Sequence, residues 1–150
     1  MNAQLIQDAV GQMKALIAKE GDNREFEHAG YHCLITRSPE AGYLSGFVGI
    51  PNTHPYYDVD HDTIEDVDVH GGLDFSGPQL EHGKERPDHW YFGFDCNQFD
   101  DLCLRDLETM DSISFGVKRS ASYKSIDYVE KEVRSLAEQL KAAEHKRVYR

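Results

Sequence analysis

Two apolar stripes at helical spacing, one at each end of the chain, with alternating segments between them, predict an α+β domain: an antiparallel sheet of four to five strands flanked by N-terminal and C-terminal helices. At 150 residues the chain makes one domain, 1–150, able to bury roughly 68 to 70% of its unfolded surface around a single core. The first stripe is Leu5, Ile6, Ala9, Val10, Met13, Leu16 and Ile17, a helix over 3–19 that Gly21 and Asn23 end. The second is Ile126, Val129, Val133, Leu136, Ala137 and Leu140, with Ser125 or Asp127 as N-cap.

Between the helices the periodicity is that of strands. "YHCLITR" (31–37) is the first, and the turn-forming "SPEAG" leads into "YLSGFVGIP" (43–51), whose Gly46 and Gly49 allow a bulge or a close backbone approach. Pro51 and Pro55 then break regularity, and "NTHPYYDVDHDTIED" (52–66) becomes a long loop, a length that in a compact domain usually serves a function. "VDVHGGLDF" (67–75) and "HWYFGFDC" (89–96) are the remaining strong strands, joined by the polar "SGPQLEHGKERPD". In residues 97–122, Leu102, Leu104, Leu107, Met110, Ile113, Phe115 and Val117 suit a short helix or turn followed by an edge strand.

Composition excludes several classes of function. With 39% hydrophobic and 29% charged residues the chain is neither disordered nor fibrous. The formal net charge is -11, and no Lys or Arg stands between Arg37 and Lys84, so direct binding to nucleic acid, which draws on cations, is not expected. Three cysteines without metal-ribbon or CxxC spacing, and no apolar block long enough for a membrane span, point to a soluble protein of the reducing cytoplasm.

The unusual stretch is 65–75, "EDVDVHGGLDF", which puts Asp66, Asp68, His70 and Asp74 into a strand-like pattern although carboxylates weaken strands. Period two sends Val67, Val69, Gly71, Leu73 and Phe75 to the core face and Asp66, Asp68, His70, Gly72 and Asp74 to the other. In 89–96 it separates Trp90, Phe92, Phe94 and Cys96 from His89, Tyr91, Gly93 and Asp95. If the two strands pair with core faces together, His70, Asp68, Tyr91 and Asp95 share one surface, and Gly72 and Gly93 leave its floor shallow. The loop with His54, Tyr56, Tyr57, Asp58, Asp60, His61 and Asp62 is placed to cover it.

Against this stands the ordinary reading, a polar strand face that is simply wet, which suits Asp66 and Asp74. His70, followed by two glycines, stays open between ligand contact and packing, as does His54 before Pro55. Crowded carboxylates favour a divalent cation, Mg²⁺, Mn²⁺ or Ca²⁺, with Asp68 and Asp95 as its ligands. Cys96, on the aromatic face, reads as a buried thiol turned away from His70 unless a bulge at a glycine reverses the facing. No serine-nucleophile elbow, phosphate-binding loop, dinucleotide fingerprint or zinc-protease motif is present.

The segments "YLSGFVGIPNTHPYY", "VDVHGGLDFSG", "HWYFGFDCNQFDD" and "YKSIDYVEKEVRSLAEQL" together resemble a family of small phage and prophage proteins whose segments read like "GYVGVP…HP", "DVHGGLTF", "WWFGFDCAH" and "Y…YV…E…LA.QL". The resemblance spans about residues 31 to 140 and implies a phage-associated protein, with His54, His70, Gly71, Gly72, Trp90, Phe94, Asp95, Cys96, Tyr123 and Glu132 at matched positions. Gln98 departs from it, standing where the family pattern often has His.

These observations lead to three readings. The first is a pocket with His70 and Asp95 as its reactive groups and His54, Asp68, Gly71, Gly72, Tyr91 and Tyr123 around a small, nucleotide-like ligand that the protein sequesters against a host defence. Arg37, Arg86, Lys118 or Arg119 would have to offset the acidic floor for a phosphate to bind. The second is a divalent-metal-dependent hydrolase using the same pocket, with His70 as general acid or base. The third is an acidic protein that blocks a basic host enzyme. All leave room for a homo-oligomer.

Overall fold

The computed structural model describes residues 2–81, 83–110 and 121–146. A helix α1 (Asn2–Glu20) leads into strands β1 (Asn23–His28), β2 (Tyr31–Arg37) and β3 (Leu44–Pro51); β4 (Phe75–Gly77), β5 (His89–Asp95), a short α2 (Leu104–Thr109) and a long α3 (Ile126–Ala142) follow. The five strands form one antiparallel sheet in the order β1-β2-β3-β5-β4, which establishes the α+β class.

The core lies between one face of this sheet and α3. Ile126, Val129, Val133, Leu136, Ala137 and Leu140, the predicted stripe, are buried against Cys33, Ile35, Leu44, Val48, Phe92 and Phe94. Ser125 starts the helix by accepting the Tyr128 amide. Helix α1 packs mainly against α2, with Met13 buried, while Leu5 and Leu16 fall off its inward stripe and remain exposed.

Strand β1 does not appear in the hydropathy pattern because its bonds to α3 are polar. Arg24 reaches Asp127 and Glu130 at 3.0 and 2.8 Å, Arg134 stacks 4.5 Å over the Phe26 ring, and His28 meets Glu138 at 2.6 Å. A strand rises about 6.6 Å in two residues and a helix about 6 Å in four, so Arg24, Phe26 and His28 match Glu130, Arg134 and Glu138 step for step. The β1–β2 hairpin turns at Ala29 and Gly30, both at positive φ (56° and 84°), a geometry that matches strand twist.

The segment 67–75 departs from the strand expected of it: only its last residue, Phe75, lies in β4. The backbone of Asp68 bonds at both N and O to the Gln139 side chain, and the His70 amide donates to Glu132 Oε1 at 2.8 Å. Side chains two helical turns apart on α3 thus supply the partners a neighbouring strand would give. Gly71 and Gly72 then turn at positive φ (68° and 80°), and pairing with β5 starts at the Asp74 amide. The expected inward residues Val67, Val69 and Leu73 do meet the core. Phe75, beyond the turn, lies opposite Gly93 on the other face and meets Phe47 edge-on. The expected edge strand at Ile113, Phe115 and Val117 lies outside the described residues. Among the described residues no helix is long and apolar enough to cross a membrane.

Candidate functional site

The expected common pocket of His70, Tyr91 and Asp95 is not formed, because these residues stand on opposite faces of the sheet. His70 sits on the α3 side. On the far face, Tyr91 is fully buried, its ring covering Gly49; of the two glycines expected to floor the pocket, Gly93 is covered by Phe47 and Gly72 stands apart in the turn at positive φ. Asp95 pairs with Ser45, also on the far face.

Asp68 is exposed at the α3 flank and Asp95 lies on the far face, so the two do not come together as a cation pair. His54 is buried inside the fold, donating from Nε2 to the Leu140 carbonyl at 2.7 Å and accepting the Tyr56 amide at Nδ1. Burial holds its pKa below the ordinary histidine value. Tyr123 belongs to a knot around Arg37: its hydroxyl donates to Glu20 and accepts from Arg37, which also binds Asp22, Gly21 O and Gly42 O.

On the α3 side, the turn at Gly71 and Gly72 delivers His70 to a buried centre. The hydroxyl of Tyr128 lies 2.8 Å from Nδ1, and Nε2 lies 2.8 Å from Asp101. Asp101 is 1% exposed and also takes Lys124 Nζ at 2.9 Å and the Gln98 amide at 3.0 Å. Burial works to raise its carboxyl pKa, but the bonds from His70, Gln98 and Lys124 outweigh it and hold the group below the usual carboxylate value. Cys96 lies beside this dyad: one nitrogen of His70, Sγ of Cys96 and an oxygen of Asp101 are within 4.8 Å of one another. The Cys96 thiol, pushed up to about 12 by burial, is the buried thiol expected of it, yet it faces the histidine it was expected to avoid. Asp101, Lys124 and Tyr128 lie within the segments that carry the resemblance but form no chemical signature of their own, so sequence reasoning passed them over.

The face turned away from α3 carries a hollow of about 200 Å³. Leu34, Thr36, Ser45 and Phe47 make its floor, Tyr43 and the Arg37–Glu40 turn one wall, and Leu80, Glu81 and Lys84 of the β4–β5 connection the other. A more open groove of about 660 Å³ shares Lys84 and the same turn and continues past Leu104, Arg105 and Glu108. Asp95 adjoins the hollow through its pairing with Ser45 and hydrogen-bonds to Asp74. Partial burial, then the bond and charge of Asp95, push the Asp74 carboxyl up to about 7, so this pair keeps a proton near neutrality. Gln98 links the two regions, its side chain donating to Asp95 at 3.1 Å and packing beside Gly71.

Comparison with family models, with curated proteins and with solved structures finds no match for this chain.

Proposed function

We propose that the protein binds a small, planar, nucleotide-like ligand, with the ring in the hollow on the far face of the sheet and any phosphate directed along the groove toward Lys84 and Arg105. The hollow itself supports this reading: Tyr43 and Phe47 offer aromatic surface, Thr36 and Ser45 offer hydroxyls, and the volume is that of a single ring system rather than a polymer. Arg37 and Arg86, expected to meet a phosphate, are engaged by Glu20, Asp22 and Glu27. Lys84 and Arg105, which line the hollow and groove, take that role. In the phage setting implied by the sequence resemblance, retention of such a ligand without turnover removes a host signal.

The experiment is a thermal-shift and calorimetric screen of nucleosides and nucleotides against the wild type and Ser45→Leu, which fills the hollow. A ligand at 100 times its Kd should stabilise the wild type by about 2.7 kcal/mol and leave the variant unmoved. If no nucleoside or nucleotide stabilises the wild type at millimolar concentration, the reading fails.

The Asp74–Asp95 pair favours a second reading, hydrolysis of the bound ligand. A carboxyl still protonated near neutrality beside the hollow can donate to a leaving group while its partner accepts a proton. Product formation that is lost in Asp95→Asn, with ligand binding retained, separates turnover from sequestration.

A further inference from the structure

We propose that His70, Cys96 and Asp101 form a mononuclear site for a zinc-class divalent ion at the crossing of the 68–74 segment, the end of β5 and the start of α3. This centre shares no residue with the hollow on the far face. Three donors of different chemistry, an imidazole nitrogen, a sulfur and a carboxylate oxygen, converge within 4.8 Å from separate stretches of chain. None of the hydrogen bonds binding His70, Asp101 and Lys124 to one another uses the thiol, so Cys96 is a donor that the network does not need.

The surroundings hold these donors in place. Tyr128 occupies Nδ1 of His70 and Glu132 takes its amide, leaving Nε2 facing Asp101. Lys124 and the Gln98 amide fix the plane of the carboxylate. An oriented imidazole whose second nitrogen is held by a neighbour is the arrangement metal-binding histidines adopt. The donor set selects the ion: a thiolate with an imidazole suits zinc, whereas magnesium and calcium take oxygen ligands. On binding, the ion displaces the Nε2 proton, which is made up on Nδ1 so that Nδ1–H donates to the Tyr128 oxygen, and the Sγ proton, which leaves to solvent, so one proton is released in net. The thiolate and carboxylate together balance the charge of the ion, and water completes a tetrahedral shell. Without metal, the same residues close into a hydrogen-bonded network.

The test uses the intact chain. Native mass spectrometry of protein purified without chelator should show one zinc per chain. Removing zinc and adding Co²⁺ should give a near-ultraviolet thiolate-to-metal charge-transfer band that Cys96→Ser abolishes. Tyr128→Phe should keep the band while weakening the affinity by about 10-fold to 100-fold. Absence of the band from wild-type protein equilibrated with Co²⁺, or its survival in Cys96→Ser, overturns the proposal. Should Cys96→Ser fail to fold, the wild type still decides: zinc must raise its melting temperature and EDTA must reverse the rise, and a melt unmoved by zinc overturns the proposal.

Discussion

The hydroxyl of Tyr91 lies 2.7 Å from Nδ1 of His32, although their strands are separated by β3. The contact exists because Gly49 stands between them: a Cβ there would be 2.4 Å from the Tyr91 ring. The Tyr91 oxygen accepts the Arg86 amide, so its O–H donates to His32, whose Nε2–H donates to Glu25 Oε2 at 2.6 Å. Neither buried side chain keeps an unmet polar group. Tyr91→Phe therefore strands the His32 nitrogen and the Arg86 amide and should cost about 1–3 kcal/mol in urea unfolding. Gly49→Ala should cost a similar amount, about 1–3 kcal/mol, by displacing the ring. Unchanged stability in both variants would show that the chain of bonds is not formed.

The Asp74–Asp95 pair sets a pH dependence. Unfolded, Asp74 titrates near its ordinary 3.8; folded, near 7, so between these values the folded state holds a proton that the unfolded chain has released. Stability from this source is complete below about pH 4 and is lost as pH rises through 7. Asp74 is exposed as a residue, so solvent screening keeps the slope well under the limiting ~1.4 kcal/mol per pH unit. Asp74→Asn should flatten this part of the curve and be more stable than the wild type at pH 8. His54 acts in the opposite sense: its lowered pKa supports the fold above about 6.5 and less so below, in both proteins alike. Denaturation of the pair at intervals from pH 4 to 8 isolates the Asp74 contribution.

Arg37 is buried, its side chain 5% exposed, with guanidinium bonds to Glu20, Asp22, Gly21 O, Gly42 O and Tyr123. Those bonds tie the end of α1, strand β2 and the approach to α3. A lysine ammonium has three donors and no planar fork. Arg37→Lys should lower stability by about 2 kcal/mol while retaining charge, and Tyr123→Phe by about 1 kcal/mol. Thermal melts check both, and a lysine variant as stable as the wild type would show that the charge alone suffices.

Both helices that flank the sheet, the strands at 31–37, 43–51 and 89–96, and the inward facing of Val67, Val69 and Leu73 were legible because each rests on apolar periodicity, a local property of the chain. β1 was not, since its order comes from charge and cation-π pairing with α3 rather than from hydropathy. The 67–75 segment alternates like a strand, but Gln139 and Glu132, more than sixty positions away, capture its backbone.

The candidate sites divide in the same way. His70 and its two glycines stood out in the sequence as residues in need of a reason and Cys96 read as a buried thiol, while Asp101, Lys124 and Tyr128 did not stand out. The turn at Gly71 and Gly72 carries His70 across to Cys96 and leaves Asp95 behind on the other face. By itself the sequence determined the apolar faces of α3 and of the central strands, because burial there follows a pattern written along a few neighbouring residues. Only the tertiary structure decided which polar groups meet, because a hydrogen bond or a shared proton depends on ångström-scale distances between segments far apart in the chain.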